Sequence, residues 1–431
     1  MIERYFNLRE HGTDIRTEIL AGITTFLTMA YIIFVNPAIL SHTGMDAGAI
    51  FVATCLAAAF GSAMMGLYAN YPIALAPGMG LNAYFTYSVV LGMHYSWQVA
   101  LGAVFLSAVL FLILSVLPVR EHIVNAIPRS LKLAIPAGIG LFLAFIGFKQ
   151  AGIVIAQPET FVTLGDLRQP QALLAILGFF LIVALDGLRV RGHVIIGILV
   201  ITLFGTLLGF NHFEGVFSVP PALSPTFLKL DIPGALNLGL ATIVFAFLFV
   251  DLFDNTGTLI AVADQAGLVS RDGRLPRIGR ALICDSSAAL VGALLGTSTT
   301  TSFIESAAGV RAGGRTGLSA VVVAILFLLA LVLAPLARSI PDYATAPALV
   351  YVALLMTRSL AQIAWDDITE SAPALVATLV MPLTFSIANG IALGMIAYAA
   401  IKVLTGRWRE IDPIVAGLAV AFTAKYAFIG G

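Results

Sequence analysis

The sequence predicts an all-α, polytopic membrane protein of about fourteen transmembrane segments, on two observations. Of 431 residues, 59% are hydrophobic and only 11% are charged, whereas soluble domains carry about 25% charged residues. The apolar residues also come in long runs rather than amphipathic stripes. Ile19–Phe34, Leu131–Phe148, Ala172–Leu185, Val194–Phe210 and Ala320–Leu336 hold no charge except Lys132. Runs of about 20 apolar residues match the hydrocarbon thickness of a bilayer.

From the N-terminus, spans are expected near residues 17–40, 47–68, 72–92, 96–118, 131–149, 171–188, 192–210, 236–264, 278–296, 299–311, 316–337, 344–363, 367–385 and 387–405. A further apolar stretch, 411–429, either spans or lies at the interface. With the N-terminus cytoplasmic, eighteen of the 23 Lys and Arg fall in inner segments, and only Lys149, Arg168, Lys229, Arg338 and Lys425 fall outside. That bias sets the orientation. Glu3, Arg4, Arg9, Glu10, Asp14 and Arg16 precede any apolar run, so no cleavable signal peptide is expected. The outer loops 150–170 and 211–235 are rich in Pro, Gly, Thr and Ser and read as surface loops. Net charge is zero, which gives no sign of a nucleic-acid partner. Cys55 and Cys284 sit in apolar surroundings and read as small core residues, not as a disulfide frame or a metal site.

Two spans do not read as plain helices. In Tyr71–Ala83, Pro72, Pro77, Gly78 and Gly80 fall within ten residues, which opposes a continuous helix. In Gly296–Glu305, the six hydroxyl residues Thr297 to Ser302 include four β-branched Thr and favour a strand. A helix is expected just after it, capped by Thr301 or Ser302. Non-helical backbone at membrane depth is tolerated only where protein or a cavity surrounds it. Two such segments, third in each of two sets of seven, point to a solute site near the bilayer midplane between inverted repeats. The bland alternative is a loop and a polar helix face. Gly78-Met79-Gly80 lacks the βαβ context of a dinucleotide fingerprint.

The acids within spans are Asp186, Asp251, Asp254, Asp264, Asp285 and Glu305. An ionised carboxylate there costs at least ~2.5 kcal/mol, so each is a functional candidate by default. Asp186 and Asp264 lie at inner helix ends within reach of water. Asp251 and Asp254 are three apart and share a helix face; Asp254, Asn255 and Thr258 could surround one ligand. Glu305 follows the Thr-rich strand. A deep carboxyl that takes up and releases a proton suits a proton-coupled carrier; the alternative is that it caps backbone groups. Asp285 suits a bond across helices as well as a ligand. Asn82 offers an amide donor and acceptor, which suits a base edge. Phe26, Phe253 and Phe303 either sandwich a flat ring or simply pack. Together these residues imply a planar, uncharged, hydrogen-bonding solute.

Five stretches, in order, carry a family resemblance: Glu10–Ile33; Ala76-Pro77-Gly78-Met79-Gly80-Leu81-Asn82-Ala83; Phe249–Thr258, with Asp251 and Asp254-Asn255-Thr256-Gly257; Gly296–Ser306; and Met381–Ala392. Here the chain resembles the azaguanine-type purine permeases, a branch of the nucleobase–ascorbate (nucleobase:cation symporter) superfamily, over nearly its whole length. The resemblance implies fourteen segments as seven plus seven inverted repeats, with two short strands crossing in the third and tenth. It implies a core domain (1–118 and 236–337) that slides against a gate domain (119–235 and 338–431), the gate often pairing two copies. It implies uptake of adenine, guanine or hypoxanthine by proton symport at the plasma membrane, with no cofactor or metal. Carried over by position, Asp254 and Glu305 hold the base; their depth makes both the candidates for the coupled proton. Gly80 and Asn82 match positions tied to binding, and Asp285 an acid that supports the site; beside these, the residues themselves offer Thr258, Phe253, Phe303 and Ser302 as further contacts and Asp251 as a supporting acid. Related uracil carriers place His where this chain has Thr258, so coupling through that His is excluded.

The nearest rival is an anion carrier of the same fold, which would want a cation at the crossing; Gly78–Tyr84 and Thr297–Glu305 contain none. An intramembrane enzyme using paired acids is the other. The Gly-x-Gly-Asp signature of the aspartyl type is absent, and Asp254 is followed by Asn-Thr-Gly.

Overall fold

A computed structural model describes residues 2–116, 126–236, 241–268 and 275–428, with the side chains of Ala241, Thr242, Phe253, Asp254, Thr256, Ile260, Lys425 and Phe428 outside the described set. Among the described residues, ten helices are long and apolar enough to cross a membrane. Three more apolar helices are shorter: His193–Leu207, Ile368–Thr384 and Pro413–Ala424. The expected spans at 72–92 and 299–311 are not single helices, because each is broken by a strand. The chain forms two compact units, Met1–Val116 with Gly147–Ala348, and Leu117–Ile146 with Leu349–Gly431.

In the first unit, α1 (Ile15–Met29) starts at Asp14, whose carboxylate accepts the Thr17 N–H at 2.8 Å. A turn at Ala30–Tyr31 interrupts the span before α2 (Ile32–Ser41). Asp46 caps α3 (Ala47–Met64) in the same way, through Ala49 N–H at 2.7 Å. Next come β1 (Leu75–Pro77), the short α4 (Met79–Ala83), a π-helical stretch Tyr84–Gly92 and α5 (Trp97–Val116). α6 (Arg129–Gln150) passes from one unit into the other. The loop 150–170 holds a hairpin, β2 (Val154–Gln157) with β3 (Phe161–Leu164), which its turn-rich composition concealed. α7 (Pro170–Gly187) and α8 (His193–Leu207) follow; Leu177, Phe180 and Leu203 are more than half exposed, as helices facing lipid require.

The second set begins with α9 (Ala241–Gln265) and α10 (Ile278–Leu295), which ends at Gly296 with φ 97°. β4 (Thr300–Ser302) pairs antiparallel with β1, with Leu75 opposite Ser302 and Pro77 opposite Thr300. α11 (Ser306–Arg311) and α12 (Gly317–Ala330) complete this half. Backbone contact locks α11 onto α1: a Cβ on Gly309 would lie 2.1 Å from Thr25 Oγ1 and 2.6 Å from the Ala21 carbonyl. Cys55 and Cys284 are buried free thiols.

The second unit is built on a hairpin of α14 (Ile368–Thr384) and α15 (Ile387–Leu404); α13 (Asp342–Thr357) enters it from the first unit. Phe385 turns the hairpin at φ 50° and presents its ring edge-on to Phe142 and Phe145, 5.6 and 5.1 Å between centroids. A Cβ on Gly390 would lie 2.8 Å from the Ala377 carbonyl oxygen, so the two helices meet at backbone distance. α16 (Pro413–Phe428) occupies the 411–429 stretch; its 16 residues reach only about 24 Å, short of a ~30 Å hydrocarbon core.

One buried acid escaped the sequence reading. Glu18, in the first span, is fully buried and accepts the N–H groups of Arg315 (2.8 Å), Thr316 (3.1 Å) and Ser319 (3.2 Å), with the Ser319 hydroxyl donating as well. It satisfies the free donors at the start of α12 and ties that helix to α1. Glu18→Ala strips those donors of their acceptor, at about 1–3 kcal/mol for each buried group. The Tm in detergent is expected to fall by several degrees, and by less in Glu18→Gln; an unchanged Tm in the Ala variant would contradict this role.

Candidate functional site

The site is organised by the pairing of β1 with β4. The ladder extends at both ends, Gly78 N–H donating to the Thr299 carbonyl and Phe303 N–H to the Ala74 carbonyl, each at 2.9 Å. Side chains satisfy the flanking backbone. Ser62 Oγ accepts the Leu75 N–H (2.9 Å) and donates to the Leu75 carbonyl (3.1 Å), and Ser306 Oγ accepts the Ala74 N–H (3.0 Å). An apolar interior cannot supply water to these groups, so each bond is needed for the segments to stay extended. A short helix leaves each strand: α4 after β1, α11 after β4.

Glu305 sits at the start of α11. The expected cap was Thr301 or Ser302, but both remain in β4; the cap position is Glu305, and its side chain makes no capping bond. Its Oε1 instead accepts the Tyr31 hydroxyl at 2.5 Å. Tyr31 is almost fully buried at the break between α1 and α2, and the adjacent Thr28 hydroxyl reaches the Glu305 carbonyl at 3.5 Å. The Gly309–Thr25 contact one turn further on fixes this approach. Tyr31 was not anticipated; an aromatic in an apolar run gives no sign of a polar partner 274 residues away.

Asn82, fully buried on α4, accepts a hydrogen bond from Ser298, while its Nδ2 has no partner among the described residues. Gly80 is buried two residues earlier on the same helix. Behind them Asn36 Nδ2 donates to Thr54 (2.7 Å) and Thr297 (2.9 Å). Ser302 Oγ lies 3.5 Å from Asp285 Oδ1, so Asp285 faces the strand from α10. Phe303 is buried beside it.

α9 packs against α4, β4 and α11. On it Asp251 is 1% exposed and Thr258 9%, while Asn255 is fully buried with neither amide atom partnered among the described residues. Phe253 and Asp254 belong to this helix, but their side chains lie outside the described residues. The hydroxyls of Thr299, Thr300 and Thr301 are likewise buried without a hydrogen-bond partner. Elsewhere, Asp186 is half-buried and Asp264 exposed at their helix ends. Phe26 packs edge-on against Phe327, centroids 5.2 Å apart. No group of three or more His, Cys, Asp or Glu suited to a metal ion occurs among the described residues.

Helices of this length and apolarity are those of an integral membrane protein. A family model described as the permease family (Xan_ur_permease) matches residues 16–393, and the chain belongs to that family. It is 51% identical over 429 residues to the adenine permease AdeP of Escherichia coli, covering 100% of this chain and 96% of AdeP. It is 47% identical over 440 residues to the guanine/hypoxanthine permease PbuG of Bacillus subtilis, covering 99% of this chain and 100% of PbuG. The resemblance to azaguanine-type purine permeases therefore holds along the chain, and family membership marks a transporter rather than an enzyme. Its fold is also that of the transmembrane domain of the cyanobacterial bicarbonate transporter BicA, at a TM-score of 0.67 and 16% identity over 87% of this chain and 97% of that one.

The strand crossing leaves little room. A Cβ on Gly78 would lie 2.7 Å from Thr301 Cγ2, with the next atom, Leu81 Cδ1, at 3.6 Å. Gly78→Ala is expected to lower the Tm, and adding Thr301→Ser, which removes that methyl, to restore it by more than the ~0.5 kcal/mol margin of additivity. Strictly additive effects would place the clash elsewhere.

Proposed function

We propose that this chain takes up purine nucleobases (adenine, guanine or hypoxanthine) by proton symport. The observation that carries the reading is the Glu305 carboxylate held by Tyr31 at the head of α11, just after the strand β4, which pairs with the strand β1 that leads into the Asn82 helix. One carboxylate oxygen is engaged by the phenol, which leaves the other to accept a ring N–H. The Asn82 amide, with its Nδ2 unpartnered, suits the donor and acceptor edge of a purine. Asp254 is the second acid of the site, with Gly80, Thr258, Ser302, Phe253 and Phe303 around the base and Asp251 and Asp285 supporting it. Glu305 and Asp254 are the candidates for the coupled proton. Kinship with adenine and guanine/hypoxanthine permeases along the full chain supports the substrate class.

The same reading comprises fourteen segments as two inverted repeats of seven, the two strands at the midplane, and an elevator movement of a core (1–118, 236–337) against a gate (119–235, 338–431). The N-terminus faces the cytoplasm of a plasma membrane, in line with the Lys and Arg distribution, and the gate pairs two copies. The anion-carrier alternative shares the fold of the bicarbonate transporter, but it lacks the cation that an anion would want in Gly78–Tyr84 or Thr297–Glu305.

The test is uptake of radiolabelled adenine, guanine and hypoxanthine into proteoliposomes, with and without an inward proton gradient. Gradient-driven accumulation of one, competed by the others, is expected; no purine uptake by folded protein would favour the anion carrier. Glu305→Gln and Asp254→Asn should each abolish accumulation, and Asp186→Asn should transport nearly normally. Normal accumulation in either of the first two would remove that acid from the mechanism. Tyr31→Phe should raise KM roughly tenfold with little change in Tm, the worth of one hydrogen bond to a charged group. An unchanged KM would make the phenol a packing residue.

A further inference from the structure

The second unit carries a basic cavity that the transport reading does not use. It has a volume of about 550 Å³ and is lined by Arg129 and Lys132 at the start of α6, Tyr398 on α15, and Arg409, Glu410 and Asp412 in the turn before α16. The acids near it are already engaged. Glu410 is bound by Lys402 and Arg407, both at 2.7 Å, and Glu370 by Lys402 at 2.8 Å and the Ser130 hydroxyl at 2.5 Å. Asp412 accepts the Ile414 N–H at 2.8 Å, at the head of α16. Arg129, Lys132 and Arg409 make no ion pair among the described residues, so the cavity presents three cations against one acid not already in an ion pair.

The surroundings are those of a membrane interface. Trp408 is 60% exposed, with the Arg409 guanidinium 5.4 Å from its ring centre. Val403 and Leu404, at the end of α15, are 58% and 85% exposed. Tryptophan concentrates at the headgroup level of a bilayer, and exposed apolar side chains next to it suit acyl chains. Two guanidiniums and an ammonium around one space match a phosphate group, which Arg binds bidentately. In the orientation proposed above this end faces the cytoplasm, where basic pockets between spanning helices accept anionic headgroups.

We propose that this cavity is a phosphate-binding site whose occupant is the headgroup of an anionic phospholipid of the inner leaflet. The headgroup would bridge the start of α6 to the turn between α15 and α16, tying together parts of the unit that are distant in sequence.

The test measures the Tm of the full chain in detergent with added phosphatidylglycerol, phosphatidylcholine or inorganic phosphate. It compares the natural protein with Arg129→Gln/Lys132→Gln and with Arg409→Gln, whose exposed position makes misfolding no obstacle. The expected result is a rise of several degrees with phosphatidylglycerol beyond that with phosphatidylcholine, reduced by at least half in both variants. An equal rise with inorganic phosphate, lost in the variants, would keep the phosphate site and overturn the lipid as its occupant. No excess over phosphatidylcholine with either probe, or variants that respond like the natural protein, would overturn the proposal altogether. None of these outcomes bears on purine uptake, which is measured separately.

Discussion

The antiparallel pairing of Leu75–Pro77 with Thr300–Ser302 is the constraint on which the first unit depends. Two extended segments in an apolar interior would each carry a row of unsatisfied backbone groups, at several kcal/mol for each group with no partner. Paired, they satisfy one another, and Ser62 and Ser306 take up the remaining donors and acceptor beside the ladder. The cost of abandoning helix in two spans is thereby contained. What it provides is two helix starts and a set of buried polar side chains in a region where a continuous helix would present only an apolar surface.

The placement of Glu305 follows from that pairing together with one close approach. Because β4 is held against β1, α11 begins at a fixed point, and glycine at 309 lets its backbone touch α1 near Thr25. The break in the first span then sets Tyr31 against the carboxylate. The acid is oriented by a neutral hydroxyl and not by a cation, an arrangement compatible with binding an uncharged solute and exchanging a proton. Glu18 does different work with the same functional group. All its bonds go to the backbone and hydroxyl of Arg315–Ser319, and it holds α12 in place. The two acids thus differ in what surrounds them: Glu18 is fully buried among backbone donors, while half-buried Glu305 meets a single phenol.

Much of this was legible in the residues. Prolines and glycines in Tyr71–Ala83 and the hydroxyl run Thr297–Ser302 marked both breaks, because their backbone preferences oppose helix whatever the tertiary context. The burial of Asp251 and Asn82 was also readable from the apolar runs around them. Features that depend on long-range contact were not. Tyr31 and Asn36 look like ordinary members of an apolar span until Glu305 and Thr297 are folded against them. Glu18 lies near enough to the N-terminal charges to pass for an interfacial residue. The Thr301 or Ser302 cap failed because strand pairing outcompeted a local capping bond, shifting the helix start to Ser306. The hairpin at 154–164 was hidden by a loop-like composition.

Equilibrium binding of radiolabelled adenine, guanine and hypoxanthine to the purified protein tests most directly whether the acid at the strand crossing anchors the solute. Saturable binding of at least one purine is predicted, weakened tenfold or more in Glu305→Gln while the protein remains folded. Unchanged affinity in folded Glu305→Gln would contradict the assignment and move the solute site away from the crossing.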